Sequence, residues 1–223
     1  MHGQKSKSST AGFSLLELVI AMTIVIILTG VASALLAGSF NIRGREDQKT
    51  FGLADAERAL NLITREVGNS GFGLTNNGIV TSDSSQSVLR IRANLNAFDK
   101  ETTSSSTSDM AEDVRYRLVT ANGNSYIERL DVNTGARTTV LANRVDQFRI
   151  RYFSDKVSYT QGDCDINATA SEVTDKKLAK YLVFIICVDL PARGSPGTAG
   201  YQPTSEVQLV SDVTLRNADL GRY

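Results

Sequence analysis

The stretch that decides the organisation of this chain is GFSLLELVIAMTIVIILTGVASALLAGSF, residues 12–40. No residue from Leu18 to Asn41 is charged. At about 1.5 Å per residue this uncharged segment spans roughly 35 Å as a helix, which exceeds the ~30 Å hydrocarbon core of a bilayer. A buried helix of a soluble domain rarely runs this long without a polar face, so we predict one membrane-spanning helix.

Glu17 conflicts with a purely hydrophobic role for this segment. A carboxylate inside hydrocarbon costs about 2.5–3.5 kcal/mol on insertion scales, so an acidic residue there is expected to serve a function. The preceding segment, MHGQKSKSSTAG, is hydrophilic and carries Lys5 and Lys7 but no acidic residue. By the positive-inside rule this end stays in the cytoplasm, and the rest of the chain is exported.

The composition of the exported part fits an extracytoplasmic domain. The whole chain has 24 basic and 24 acidic residues, a balance that argues against a nucleic-acid-binding protein. Its two cysteines, Cys164 and Cys187, are predicted to form a disulfide in an oxidising compartment, worth about 3 kcal/mol on the chain-entropy model. Two buried free thiols are the alternative.

Helical signals continue beyond the membrane segment. Residues 41–68 interleave five basic and five acidic side chains with a stripe of apolar residues at helical spacing, namely Leu53, Ala56, Leu60, Ile63 and Val67. We therefore predict one helix from Phe13 to Val67, whose second half docks on a sheet. Glycines within it permit either close approach of neighbours or bending, at Gly30, Gly38, Gly44 and Gly52.

After Gly71 the pattern changes to short strands separated by turns. The predicted strands are residues 88–95, 114–120, 125–132, 145–153, 181–190 and 206–215. Strict alternation in VLRIR, VRYRL and FRIRYF predicts one solvent-facing side of the sheet. YLVFIICVDL is apolar on both faces, which predicts a central strand covered on both sides. The fold class is therefore α+β, a long helix packed on an antiparallel β-sheet domain.

Residues that would carry catalysis are scarce. The only histidine is His2, so the exported part offers no histidine-based triad, and we expect neither an enzyme nor a cofactor. Asp163, Asp165 and Asn167 alternate as at the start of a calcium loop, but the glycine and bidentate glutamate that such a loop needs are missing downstream. We predict an ordinary polar loop there, with calcium as a weak alternative.

Cleavage of the chain after Gly12 would give Glu17 a positively charged partner. Phe13 would then carry a new terminal amine, one helical turn away from Glu17. In a low-dielectric bundle of helices, that amine and the carboxylate would attract strongly, within one subunit or between neighbours. The cost of burying Glu17 alone would then favour assembly.

The sequence GFSLLELVIAM resembles the processing site of type IV prepilins and pseudopilins. It has a short basic leader, Gly12 before the cut, a phenylalanine after it and glutamate fifth in the mature chain. The resemblance implies cleavage after Gly12 by a prepilin peptidase, N-methylation of Phe13, and a role for Glu17 in subunit docking. It also implies a leader at 1–12, a membrane and assembly helix at 13–40, its amphipathic continuation at 41–70, and a pilin-like globular domain at 71–223.

Three further segments, TREVGNSGFG (64–73), LANRVDQFRIRYF (141–153) and VTLRN (213–217), are similar to PilW-like minor pilins. This likeness implies a minor type IV pilin in a tip or priming complex, with a J-type pseudopilin of a type II secretion system as the alternative. A signal-anchored extracytoplasmic enzyme or binding domain is less favoured because it leaves Glu17 unexplained.

The partners and location follow from the same resemblance. The expected partners are prepilin peptidase, other major and minor pilins, an inner-membrane assembly platform and membrane lipid. The protein would lie in the bacterial inner membrane with a periplasmic domain before assembly, and in a pilus or periplasmic pseudopilus afterwards.

Overall fold

The computed structural model describes residues 13–97, 107–141 and 145–218. In these ranges the chain forms one α-helix, α1 (Leu15–Val67), and two short 3-10 turns (Thr81–Asp83 and Lys176–Leu178). The strands are β1 (Val88–Arg92), β2 (Asp113–Ala121), β3 (Asn124–Asp131), β4 (Arg137–Leu141), β5 (Gln147–Phe153), β6 (Tyr159–Gln161), β7 (Ile166–Ala168), β8 (Tyr181–Leu190) and β9 (Ser205–Thr214). The predicted α+β fold is confirmed. The observed helix starts at Leu15, two residues later than predicted, and ends at Val67 as predicted.

The chain divides into two compact units. The first consists of the described residues up to Arg45 and the loop Ala192–Pro203. The second begins at Glu46, runs to Pro191, and resumes at Thr204. Helix α1 contributes its apolar part to the first unit and its charged, amphipathic part to the second.

In the first unit the apolar part of α1 is uncovered. The most apolar window of the helix is long enough to cross a membrane, and none of it is buried within the chain. Large apolar side chains such as Ile20, Ile27 and Leu35 are accordingly exposed. Such a helix needs an apolar environment from outside the chain.

The loop Ala192–Pro203 packs against α1 through glycines. Gly38 is buried, and a Cβ atom placed on Gly200 would lie 2.3 Å from the Gly38 Cα. A Cβ atom on Gly44 would lie 2.3 Å from Arg193 Nη1, whereas one on Gly30 would meet nothing within 4 Å. Of the two roles open to these glycines, Gly38 and Gly44 therefore serve close approach, and the helix continues through both.

In the second unit the apolar stripe of α1 is the centre of the core. Ala56, Leu60, Ile63 and Val67 are buried together with residues of both main sheets. The prediction was wrong for Leu53, which is 40% exposed. Ala59, one turn further along than Ala56, is fully buried instead.

Within the described residues every strand pair is antiparallel, and the strands form two main sheets and a small one. The first sheet has the order β1-β2-β3-β4, the second β5-β8-β9, and β6 pairs with β7. The expectation of a single sheet is therefore wrong. Strand β5 pairs with β8, which has β9 on its other side, and β5 does not pair with β4, so the strands divide between two sheets.

Strand β8 is the central strand of its sheet, as predicted, and both its faces are covered. One set of alternate residues packs in the larger core with the α1 stripe, namely Leu182, Phe184, Ile186 and Val188. The other set packs in a smaller core with residues of the segment between β5 and β8, namely Tyr181, Val183, Ile185 and Cys187. Residues 154–178, including the β6–β7 pair, thus cover the face that α1 does not.

Candidate functional site

The predicted processing site lies at the start of α1. Gly12 lies outside the described residues. Phe13 is 83% exposed and precedes the helix, and Glu17 lies in its first turn. Both side chains border one shallow apolar groove on the helix surface, together with Leu18, Ala21, Met22, Val25 and Ile26. The structure therefore brings Phe13 and Glu17 to the same side of the helix.

Glu17 differs from the threonines and serines that follow it in the apolar part of α1. Their hydroxyl groups donate hydrogen bonds to carbonyl oxygens one turn earlier: Thr23 to Ile20 (2.8 Å), Thr29 to Val25 (2.7 Å), Ser33 to Thr29 (2.8 Å) and Ser39 to Leu35 (3.0 Å). These groups can enter hydrocarbon without an unmet hydrogen bond. The Glu17 carboxylate has no such partner among the described residues. It is also the only ionisable side chain between Phe13 and Ile42.

The predicted disulfide between Cys164 and Cys187 is present in the structure. It joins the loop before β7 to the central strand β8, with the two Cα atoms 5.8 Å apart. Cys164 adopts a positive φ of 46° and is buried in the smaller core. Glu206 lies beside the two sulfur atoms. Because a disulfide has no thiolate to offer, these three residues do not make a metal site.

In the weak calcium candidate, the carboxylate of Asp165 is bound by two arginine side chains. Arg149 Nη1 lies 3.0 Å from Asp165 Oδ2, and Arg151 Nε lies 3.0 Å from Asp165 Oδ1. Burial alone would raise the pKa of Asp165, but the hydrogen bonds from Arg151 hold it below its ordinary value. Asn167 lies in β7, paired opposite Thr160. This carboxylate therefore serves to fix the β6–β7 segment on β5, and its negative charge is already neutralised.

A polar anchor that the sequence patterns did not indicate joins α1 to the first sheet. The Glu66 carboxylate accepts a hydrogen bond from Arg129 Nε at 2.9 Å and another from the Tyr116 hydroxyl. Burial and the neighbouring Glu66 charge raise the pKa of Tyr116 above its ordinary range. The signal available in the sequence was an acidic residue directly beside the apolar stripe, one position before Val67.

The outer face of the first sheet is rich in arginine. Five guanidinium groups share this face with three carboxylates: Arg90, Arg92, Arg115, Arg117 and Arg137 with Asp83, Asp113 and Glu128. Asp113 and Glu128 are buried beneath the arginines, so the atoms at the surface are mainly guanidinium donors. Burial opposes ionisation of Asp113, but hydrogen bonds from Arg90 and Arg92 lower its pKa below the ordinary value.

Comparison with known proteins bears on the N-terminal segment. Residues 7–33 match the family model described as the prokaryotic N-terminal methylation motif. No curated protein and no solved structure matches the chain significantly. The motif implies processing by a prepilin peptidase and assembly with other pilins, and the apolar helix fits anchoring in the inner membrane. The methylation motif and the helix that follows it together support a type IV pilin-like prepilin.

Proposed function

We propose that this protein is a minor type IV pilin, a structural subunit and not an enzyme. It is stored in the bacterial inner membrane, cleaved after Gly12, methylated on Phe13 and assembled through α1 into a pilus, in its tip or priming complex. The observation that carries the proposal is the Glu17 carboxylate, the one ionisable side chain between Phe13 and Ile42, in a part of α1 where the hydroxyls of Thr23, Thr29, Ser33 and Ser39 bond to their own helix.

Assembly through α1 follows from what burial would cost each polar group. Moving the hydroxyls of the segment from water into a bundle of helices costs little free energy, because they keep their hydrogen bonds to their own helix. Burying the carboxylate of Glu17 does cost free energy, unless a positive charge pairs with it in the bundle. The terminal amine that cleavage creates at Phe13 supplies this charge, so processing and docking become coupled.

The processing step is tested on the native protein. Mass spectrometry of protein from cells that have the peptidase should find a methylated phenylalanine at the N-terminus, corresponding to Phe13. A mature chain that still begins with Met1 would refute the assignment.

The docking step is tested by replacing Glu17 with Gln, which keeps the shape and removes the charge. We expect incorporation into filaments to fall by about tenfold or more, because one desolvated charge pair is lost. Thr23→Val is the matched control, since the Thr23 hydroxyl is satisfied within its own helix. Equal incorporation of the Gln variant and the wild type would reject the docking role.

The J-type pseudopilin remains the alternative within the same class. The PilW-like segments at 64–73, 141–153 and 213–217 favour a pilus. A deletion strain decides between the two systems: loss of surface pili with normal protein secretion supports the minor pilin, and loss of secretion with normal pili supports the pseudopilin.

A further inference from the structure

A groove of about 730 Å³ opens on the second unit beside β1. One wall is the segment between α1 and β1, and the other walls come from β1, the start of β2, the turn after β3 and the 3-10 turn at Lys177. This volume lies within the range of about 300–1,000 Å³ that is usual for ligand sites.

The walls of the groove are fixed by hydrogen bonds. Val80 N donates to the Arg90 carbonyl at 2.9 Å, and Arg92 N donates to the Gly78 carbonyl at 2.8 Å, so residues 78–80 pair along the outer edge of β1. The buried Asn77 amide donates from Nδ2 to the carbonyls of Lys176 and Ala179, at 2.8 Å each. The turn that carries Lys177 is thereby held to the same wall, and the groove is preformed.

The groove carries an excess of positive charge. Its charged side chains are Arg90, Arg92, Lys177 and Asp113. Asp113 is 3% exposed and accepts hydrogen bonds from Arg90 Nε and Nη2 and from Arg92 Nε. Arg90 also donates from Nη1 to Asp83, so most of its donors are already used.

Two cationic groups remain available in the groove. Arg92 pairs with Asp113 through Nε, and within residues 13–97, 107–141 and 145–218 neither the terminal amino groups of Arg92 nor the Lys177 ammonium donates a hydrogen bond. The three cationic side chains that line the groove, Arg90, Arg92 and Lys177, exceed its one carboxylate, Asp113, so the lining itself carries a net positive charge. Low-dielectric walls around such a groove concentrate this potential and attract anionic groups.

We propose that this groove binds a carboxylate-rich segment of another protein. The paired terminal amino groups of Arg92 match the two oxygens of one carboxylate, and Lys177 contacts a second as a point charge. No aromatic side chain lines the groove in the described part of the chain, which removes the stacking surface that nucleobases use. The volume exceeds that of a single small carboxylate and fits several residues of an extended peptide.

The test uses the full chain in non-ionic detergent micelles and a hexaglutamate peptide as the probe. Isothermal titration calorimetry should detect binding of hexaglutamate, weakening as salt is added, and no binding of hexaglutamine. Lys177→Gln should weaken the affinity by about fivefold and Arg92→Lys by about tenfold, since the lysine keeps the charge but loses the paired geometry.

Arg137→Gln is the matched control, because Arg137 lies on the same sheet face, is 63% exposed and does not line the groove. Its affinity for hexaglutamate should equal that of the wild type. Equal losses in all three variants, or no binding of hexaglutamate, would overturn the proposal. So would citrate binding as tightly as the peptide, which would indicate a small-carboxylate site, or heparin binding in its place, which would indicate a sulfated polysaccharide.

Discussion

The two halves of helix α1 are built for different surroundings. Before Arg45 its large apolar side chains are exposed and its hydroxyls bond back to the helix. From Ala56 onward its apolar stripe is buried, and exposed charged residues such as Glu57 and Arg58 occupy the opposite side. The first half therefore depends on lipid or neighbouring subunits, whereas the second half is stabilised by its own sheets. The same helix thus has one part without cover from its own chain and one part buried in the core.

The largest expected effect compares two isoleucines on this one helix. Ile63 is fully buried in the core, whereas Ile27 is 65% exposed. Ile63→Ala should lower the free energy of unfolding of the β-rich unit by about 3–4 kcal/mol, because it leaves a cavity. Ile27→Ala should change it by less than about 0.5 kcal/mol. Urea unfolding in micelles, followed by near-UV circular dichroism, measures both. Equal effects would show that the two halves do not differ in this way.

The polar anchor of the second half gives the next effect. Glu66→Gln removes the charge that holds Arg129 and Tyr116, so we expect a loss of about 2–3 kcal/mol in the free energy of unfolding. Glu57→Gln is the control, because Glu57 lies on the same helix and is exposed. If both substitutions cost the same, the anchor does not stabilise the helix–sheet contact.

The loop of the first unit offers a pair of glycines for comparison. Gly197 and Gly200 both have positive φ, 83° and 80°, but only Gly200 approaches Gly38 closely. Alanine at either site costs about 1 kcal/mol of backbone strain. Gly200→Ala should in addition displace the loop from α1 and speed tryptic cleavage after Arg193 by about tenfold, as local opening becomes easier. Similar cleavage rates for the two variants would contradict the tight helix–loop contact.

Acid should destabilise the second unit, which contains Asp113 and Asp165, and spare the apolar part of α1. Asp113 and Asp165 have pKa values below their ordinary ones, so each adds stability that is complete above about pH 4–5. This stability is lost as the pH falls through the folded-state pKa, at about 1.4 kcal/mol for each unit of difference. Urea titrations of the β-rich unit between pH 7 and 3 should show this decline, while the helical signal of the membrane segment persists.

The Asn variants of these two residues sharpen the acid comparison. Asp113→Asn and Asp165→Asn lower stability at pH 7, but their stability should depend less on pH between 5 and 3. A wild-type protein whose stability did not fall in acid would contradict the role given to these carboxylates.

Period and composition were enough to predict much of this fold. The uncharged run after Glu17 predicted the exposed helix, the spacing of Ala56, Leu60, Ile63 and Val67 predicted the docked half, and β8 was recognised because both its faces are apolar. Each of these patterns reflects a local periodicity that burial imposes on consecutive residues. The separation into two sheets was missed because strand partners are chosen between segments far apart in sequence.

The residues of the candidate sites also fall into two groups, those that local sequence indicates and those that only packing brings together. Glu17 was singled out from the sequence because a charge in an apolar segment is costly wherever the chain folds, and its docking role and the processing at Phe13 stay predictions. The Glu66 anchor, the contact of Gly38 with Gly200, and the groove with Arg92 and Lys177 each join residues that only packing brings together. Local sequence thus specified which parts of the chain must leave water, since that depends on the residues themselves. Long-range packing specified which polar groups meet, since that depends on where other segments end.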